Sequence, residues 1–334
     1  MELERTRAER VAAAAFRAHG IGEDDAELTA KVLVSADVRG KHSHGLLRLP
    51  RFVRGIEHGN VDPAGEIRIV RDGGAAATID GGSRLGPVVA TEAMAEATAR
   101  AAEYGVGAVG VRDTNHLGML GYYTDRAQRE GYVAVGVTNT EPAMPPFGGA
   151  ESILGTNPIA IGLPTDPPFN LDMSTSAISR GEVFELEQAG GTLPEGVALD
   201  ADGAPTTDPS GALDGVILPF GGVKGSGLAI AVEIVAGGLV GAAMGSDVTG
   251  TYHTEDPCTK GDLFVAFDPE TLGGEGFEER ASAFVRELKG IDPAAGTEEI
   301  LLPGERSVEA DRTAQVVEVD DDLWTDVLEL ADES

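Results

Sequence analysis

Apolar positions recur at helical spacing through ERTRAERVAAAAFRAHG, and the run stops at Gly20. EDDAELTAKVLVSADVRG repeats the pattern, with acids in its first turn and Gly40 after its end, the arrangement a helix dipole favours. In the next segment, SHGLLRLPRFVRGIEHG, Ser43 is the expected N-cap and Pro50 is expected to divide it into two short helices. From about residue 66 the texture changes, and EIRIVRDGGAAATIDGG alternates and turns like a hairpin. VVATEAMAEATARAAEYG then predicts a helix, GVGAVGVRD a strand, GYYTDRAQREG a helix and YVAVGVTNT a strand. A Pro/Gly-rich loop, EPAMPPFGGAESILGTNP, leads into the strand IAIGLPT and on to LDMSTSAISRGEV; residues 186–215 are dense in turn signals. GSGLAIAVEIVAGGLVGAAMG predicts a long buried helix of small residues. GDLFVAFDP predicts a strand, ASAFVRELKG a helix, and DDLWTDVLELADES a final amphipathic helix.

Strands and helices are interleaved, so the fold class is α/β (α+β), without the regular βαβ cadence of a doubly wound sheet. The run Gly105-Val-Gly107-Ala-Val-Gly110 matches G-x-G-x-x-G, but a helix precedes it and a strand follows. A dinucleotide fingerprint needs the opposite order, so the match is set aside. FGGVKGSG resembles a phosphate loop, yet Lys224 is followed by Gly225 and the G-K-[ST] ending is missing.

Charge changes the picture more than length does. With 334 residues, two domains are the expectation. The net charge is −31, from 56 acidic and 25 basic residues, and only five of the basic residues are lysines. We read this as a surface suited to a high-salt cytoplasm, where counter-ions screen its self-repulsion; an acidic protein of an ordinary cell is the alternative. Nucleic acid is not an expected partner, since it needs a basic footprint. One cysteine, Cys258, excludes an internal disulfide framework. The charged start MELERTRAER lacks a secretory h-region and no apolar run reaches membrane-spanning length, so a cytoplasmic protein is expected, away from membranes.

Three places carry candidate chemistry. His44 and Arg48 lie four apart, on one helix face if Ser43 is the cap. A histidine can take and return a hydroxyl proton, and an arginine can fork a carboxylate. Spacing alone fits a surface pair on an amphipathic helix better. His116, in DTNHLGMLGYY, follows a strand, where scaffolds present functional side chains; a capping or core histidine is the other reading. Lys224 stands in a Gly-rich loop before an apolar helix, a setting for an anion such as a cofactor phosphate or for a solvated lysine. His19, His42, His58 and His253 read as surface residues, with the cleft of His44 as the alternative for His42, and Cys258 is given no role.

The blocks SADVRGKHSHGLLRLPRFV, TNHLGMLGYYTDRAQREG, FGGAESILGTNPIAIGLPT, LDMSTSAISRGEV, LPEGVALDADGAPTTDP, LPFGGVKGSGLAIAVEIVAGGLVGA, GDLFVAFDP and LPGERS occur in order. Together they resemble the malate/L-lactate dehydrogenase family that is unrelated to the Rossmann enzymes of similar name. Sulfolactate, ureidoglycolate and 2,3-diketo-L-gulonate dehydrogenases and cyclic-imine reductases belong to it. The resemblance implies a non-Rossmann NAD(P)-binding fold with a large mixed, mostly antiparallel sheet flanked by helices, plus a helical domain built from both ends of the chain. It implies a helical substrate and dimerisation domain (1–65 with 305–334), an NAD(P)-binding α/β domain (66–304), and a homodimer with the site near the subunit interface.

It also implies the chemistry: hydride transfer between NAD or NADP and C2 of a small 2-hydroxy (2-oxo) acid. His44 matches the proton donor/acceptor, Arg48 a substrate-carboxylate position, and His116 a second catalytic or orienting position. The cofactor stretches match Asp172, Met173, Ser174, Thr175 and Ser176, then Lys224 and Gly225, then Gly304, Glu305 and Arg306. The chain departs from the family pattern at Phe52, often Tyr elsewhere, and at Thr140 and Glu141. Reduction of a cyclic imine acid is an alternative. From other classes, a metal-dependent hydrolase is opposed by the poor zinc spacing of His42 and His44, and a non-enzymatic module by the density of glycine-rich loops. No metal is expected.

Overall fold

The computed structural model describes residues 1–332. Strand β1 (Glu2–Glu4) leads into helices α1 (Arg5–Ala18), α2 (Glu23–Val38) and α3 (Leu49–His58). A hairpin of β2 (Arg68–Asp72) and β3 (Ala76–Asp80) precedes α4 (Gly86–Tyr104), β4 (Val106–Arg112), α5 (Gly121–Arg129), β5 (Val133–Thr138), β6 (Ile159–Leu163) and β7 (Phe169–Met173). The next stretch carries α6 (Arg180–Gln188), a small ribbon of β8 (Ala198–Leu199) and β9 (Val216–Ile217) around α7 (Pro209–Asp214), and α8 (Val223–Glu233). Last come β10 (Asp262–Phe267), α9 (Phe277–Lys289), α10 (Glu305–Thr313), β11 (Val316–Glu318) and α11 (Asp321–Leu330).

Seven strands form the main sheet in the order β2-β3-β4-β10-β5-β6-β7. Only β3 and β4 run parallel, joined by α4 as crossover; every other neighbour is antiparallel. The expected mixed, mostly antiparallel sheet flanked by helices is therefore present. Ala90, Ala93, Ala97 and Ala101 of α4 pack with Val109, Val111 and Phe264 in the core beneath it. The glycines of the rejected fingerprint are explained by this packing. Gly105 ends α4 in the left-handed region (φ +82°), and a Cβ at Gly107 would stand 2.0 Å from the Ala97 carbonyl oxygen. A second core joins both ends of the chain: Val11, Phe16, Leu33, Leu46 and Phe52 pack with Val317, Trp324 and Val327. Here β1 pairs with β11, and the Met1 ammonium reaches the Val319 carbonyl at 2.6 Å. Residues 333–334 of the expected helical domain lie outside the described residues. No helix among the described residues is long and apolar enough to cross a membrane.

Two expectations need correction. Ser43 does not cap a helix, and His44 and Arg48 do not share one. The segment makes two 3₁₀ turns, His42–His44 and Leu46–Arg48, broken at Gly45, and α3 begins only at Leu49 with Pro50 in its first turn. Asp37 is the reason: its buried carboxylate accepts the Leu46 N–H at 2.7 Å and His42 Nδ1–H at 3.2 Å, and it occupies the space a Cβ at Gly45 would need. The second correction concerns the long apolar helix. It is α8 followed by a π-helical turn, Ile234–Gly238, and one face is open: Val223 is 64% and Leu239 70% exposed, with Ile230 and Ile234 also exposed.

Candidate active site

The two core regions meet at a cavity of about 680 Å³, inside the ~300–1,000 Å³ range of ligand pockets. Its walls include His42, Ser43, His44 and Arg48 from the 3₁₀ turns, His116 after β4, and Asp172, Met173, Ser174 and Ser176 at the end of β7. His44 and His116, 72 residues apart in sequence, have ring centroids 5.7 Å apart. The Phe52 ring stands edge-on to His116 at 6.5 Å and presents an apolar edge to it.

Both imidazoles keep some surface toward the cavity, yet protein surrounds them. Burial, with Arg48 and Lys41 close by, pushes His44 down to about 3. Burial first, then Arg48, His44, Lys260 and Arg51, holds His116 well below the ordinary histidine value. The rings are therefore neutral near pH 7 and able to accept or relay a proton. The Gly118 N–H donates to His116 Nδ1 at 3.1 Å, which leaves the neutral ring's proton on Nε2. The Ser43 hydroxyl lies 3.0 Å from His44 Nδ1, and Arg48 Nε–H donates to the Ser43 carbonyl at 2.7 Å, so one residue orients both candidates.

Cations gather at one side. Burial, and then Arg51, lowers Arg48 to about 9, with Arg180 adding to the effect. Arg51 and Arg180 lie over the Tyr252 ring at 4.2 and 4.7 Å. Among the described residues none of these three guanidiniums has a carboxylate within salt-bridge reach, although the chain holds 56 acids. Three acids of the same wall are engaged elsewhere. Glu141 accepts the N–H groups of Tyr252 and His253, Asp172 that of Gly121, and Glu182 that of Ser179. The arrangement is a ready anion site beside two neutral imidazoles.

The expected cofactor residues divide. Asp172, Met173, Ser174 and Ser176 line the cavity, with the two serine hydroxyls 2.8 Å apart, while Thr175 is buried behind them with its hydroxyl on the Thr156 carbonyl. Lys41 donates to the Asp172 carbonyl at 3.0 Å. Lys224 is exposed in the first turn of α8, and Gly225 packs against Phe220, which does line the cavity. Gly304 opens α10 against Asn170 of β7. Glu305 is occupied by Lys289 at 2.5 and 2.8 Å, and exposed Arg306 pairs with Glu299. A polar, hydroxyl-lined wall opposite an imidazole pair, in a cavity of this size, fits a nicotinamide cofactor. Arg180, Tyr252 and Lys260 line the cavity and Arg51 shares a smaller pocket with Arg48; the sequence reading singled out none of the four. Cys258 is buried and its thiol is pushed up to about 12, so it is inert at neutral pH.

A family model described as malate/L-lactate dehydrogenase matches residues 3–328. The chain is 44% identical over 317 residues to L-sulfolactate dehydrogenase of Methanocaldococcus jannaschii, covering 94% of this chain and 92% of that protein. It is 43% identical over 322 residues to malate/(S)-sulfolactate dehydrogenase of Methanothermus fervidus, covering 95% and 94%. The solved sulfolactate dehydrogenase of M. jannaschii superposes with a TM-score of 0.94 at 42% identity, over 100% of this chain and 97% of that one. Matched nearly end to end in sequence and backbone, the chain belongs to the malate/L-lactate dehydrogenase family.

Proposed function

We propose that this protein is an NAD(P)-dependent oxidoreductase acting at C2 of a small 2-hydroxy acid that bears a second acidic group, as malate and sulfolactate do. The observation that carries the second acid is the trio Arg48, Arg51 and Arg180, three guanidiniums without carboxylate partners among the described residues: Arg48 and Arg180 line the cavity, while Arg51 shares a smaller pocket with Arg48 and stacks on the same Tyr252 ring as Arg180. Arg48 receives the C1 carboxylate as a fork. Arg180 and Arg51, braced on Tyr252, face the second anion. His44 takes the C2 hydroxyl proton, and Ser43 fixes its ring. His116 donates from Nε2 to the C2 oxygen. Ser174, Ser176 and the Asp172–Met173 backbone would hold the cofactor, with Lys224 and Gly304–Arg306 as further contacts. When bound, NAD(P) supplies or accepts the hydride.

Relatives that reduce or oxidise both malate-type and sulfonated acids support this substrate class. The test is a panel of oxaloacetate, sulfopyruvate and pyruvate with NADH and NADPH in molar KCl. Either dianion is expected to exceed pyruvate in kcat/KM by at least about tenfold, since pyruvate leaves the half-buried Arg51 and Arg180 without an anionic partner. Equal values would sink the second-anion site. The reading includes a homodimer, supported by the open apolar face of Val223, Ile230, Ile234 and Leu239: two copies that each carry a net charge of −31 can approach only over an uncharged surface.

A further inference from the structure

We propose that Lys260, held in place by Asp262, is a further catalytic residue: it offers one N–H of its ammonium to the oxygen on C2 of the substrate, beside His116. Lys260 is 2% exposed and Asp262 1% exposed. Of the chain's five lysines, Lys260 alone is buried. Its ammonium lies 2.6 and 2.7 Å from the two oxygens of the Asp262 carboxylate, and these are its hydrogen-bond partners among the described residues. An ammonium carries three donors, so one has no acceptor among the described residues. The side chain lines the cavity that holds His44, His116 and Arg48.

The placement is fixed by the sheet. Asp262 opens β10 and stands in register with Val111 of β4 on one side and Thr138 of β5 on the other. Those two strands run on directly into His116 and Thr140, both of which face the cavity. The carboxylate therefore anchors the ammonium to the end of the sheet from which the His116 loop departs. As a purely structural device the pair is a poor choice. Two buried charges gain little over apolar residues of the same volume, because desolvation offsets most of their attraction.

The chemistry asks for such a donor. As hydride adds to C2 of a 2-oxo acid, the carbonyl oxygen gathers negative charge until an imidazole supplies a proton. Lys260 donates a hydrogen bond to that oxygen throughout, its ammonium aimed by the two Asp262 oxygens. No bond to lysine forms or breaks. The same cation acts, with Arg48, His44 and Arg51, to keep His116 neutral.

This inference rests on the 2-oxo acid reading above, so wild-type protein is assayed first on the same panel. No turnover there refutes the reading of function; the comparison that follows judges Lys260 alone. Lys260→Met and the charge-neutral pair Lys260→Met/Asp262→Asn are compared with wild type for kcat and for NADH affinity by fluorescence. Loss of a preorganised donor is expected to lower kcat roughly 100-fold, with the NADH Kd within about twofold. A kcat within threefold of wild type in either folded variant overturns the proposal. Should neither variant fold, wild type labelled with ¹⁵N at lysine Nζ decides it. Oxamate titrated into NADH-saturated protein is expected to shift the slowly exchanging ammonium signal of the buried lysine, and an unmoved signal refutes the contact.

Discussion

An imidazole pushed down to about 3 holds no second proton near neutrality, and this makes His44 dependent on what binds beside it. After burial, the influences that lower it are the charges of Arg48 and Lys41. A substrate carboxylate seated on Arg48 offsets that cation, so the proton affinity of His44 rises when substrate binds. For oxidation of the 2-hydroxy acid the base must be unprotonated. The pH dependence of kcat/KM follows the free protein, and that of kcat follows the bound complex. The acid limb of kcat is therefore expected at higher pH than the acid limb of kcat/KM. Coincident limbs would show that substrate leaves this imidazole's surroundings unchanged. That His44 and His116 belong to candidate blocks was legible in the sequence from S-H-G and N-H-x-G, and both line the cavity. The arginine trio was not, because Arg51, Arg180 and Tyr252 come from distant segments and meet only through tertiary packing. Lys260 carried a usable signal, a retained lysine in a chain that otherwise prefers arginine, just before a strand.

At the scale of elements, the helices and the central strands were readable because their periods are clean: β3 alternates as exposed, buried, intermediate, buried, intermediate. Strand β7 was missed because its buried position is a polar one. Asn170 donates to the Thr124 hydroxyl at 2.9 Å, a pairing that hydropathy does not register. Elements are joined by a buried ion network. Arg39, at the end of α2, donates to Asp125 of α5 and to Asp311 of α10, each at 2.7 Å, and Asp311 also accepts from Ser35 at 2.7 Å. Arg39→Met leaves two buried carboxylates short of a partner. It is expected to destabilise the fold by about 3–5 kcal/mol, read as a lower urea midpoint; a change below about 1 kcal/mol would show the network to be dispensable. The open face of α8 and the turn after it gives a second test at this scale. Leu239→Lys places a charge where the proposed second copy would pack, and sedimentation is expected to show monomer at concentrations where wild type is dimeric.

For the whole molecule, the acidic surface sets the working conditions. A net charge of −31 repels itself across any compact shape, and salt shortens the reach of that repulsion from about 10 Å at 0.1 M to about 3 Å at 1 M. The thermal midpoint is expected to climb steadily as KCl is raised from 0.1 to 2 M. A flat or falling curve would mean that specific ion pairs, weakened by the same screening, dominate over net repulsion. The joining of the two chain ends has a further consequence, for the order of events during synthesis. The first helices leave the ribosome early, but Val317, Trp324 and Val327, which complete their core, are made long after them. The sheet can pair while translation continues, whereas the segment bearing His44 and Arg48 must wait for residues 317–327 to arrive. A ribosome stalled before residue 317 would thus hold a folded sheet with no assembled pocket.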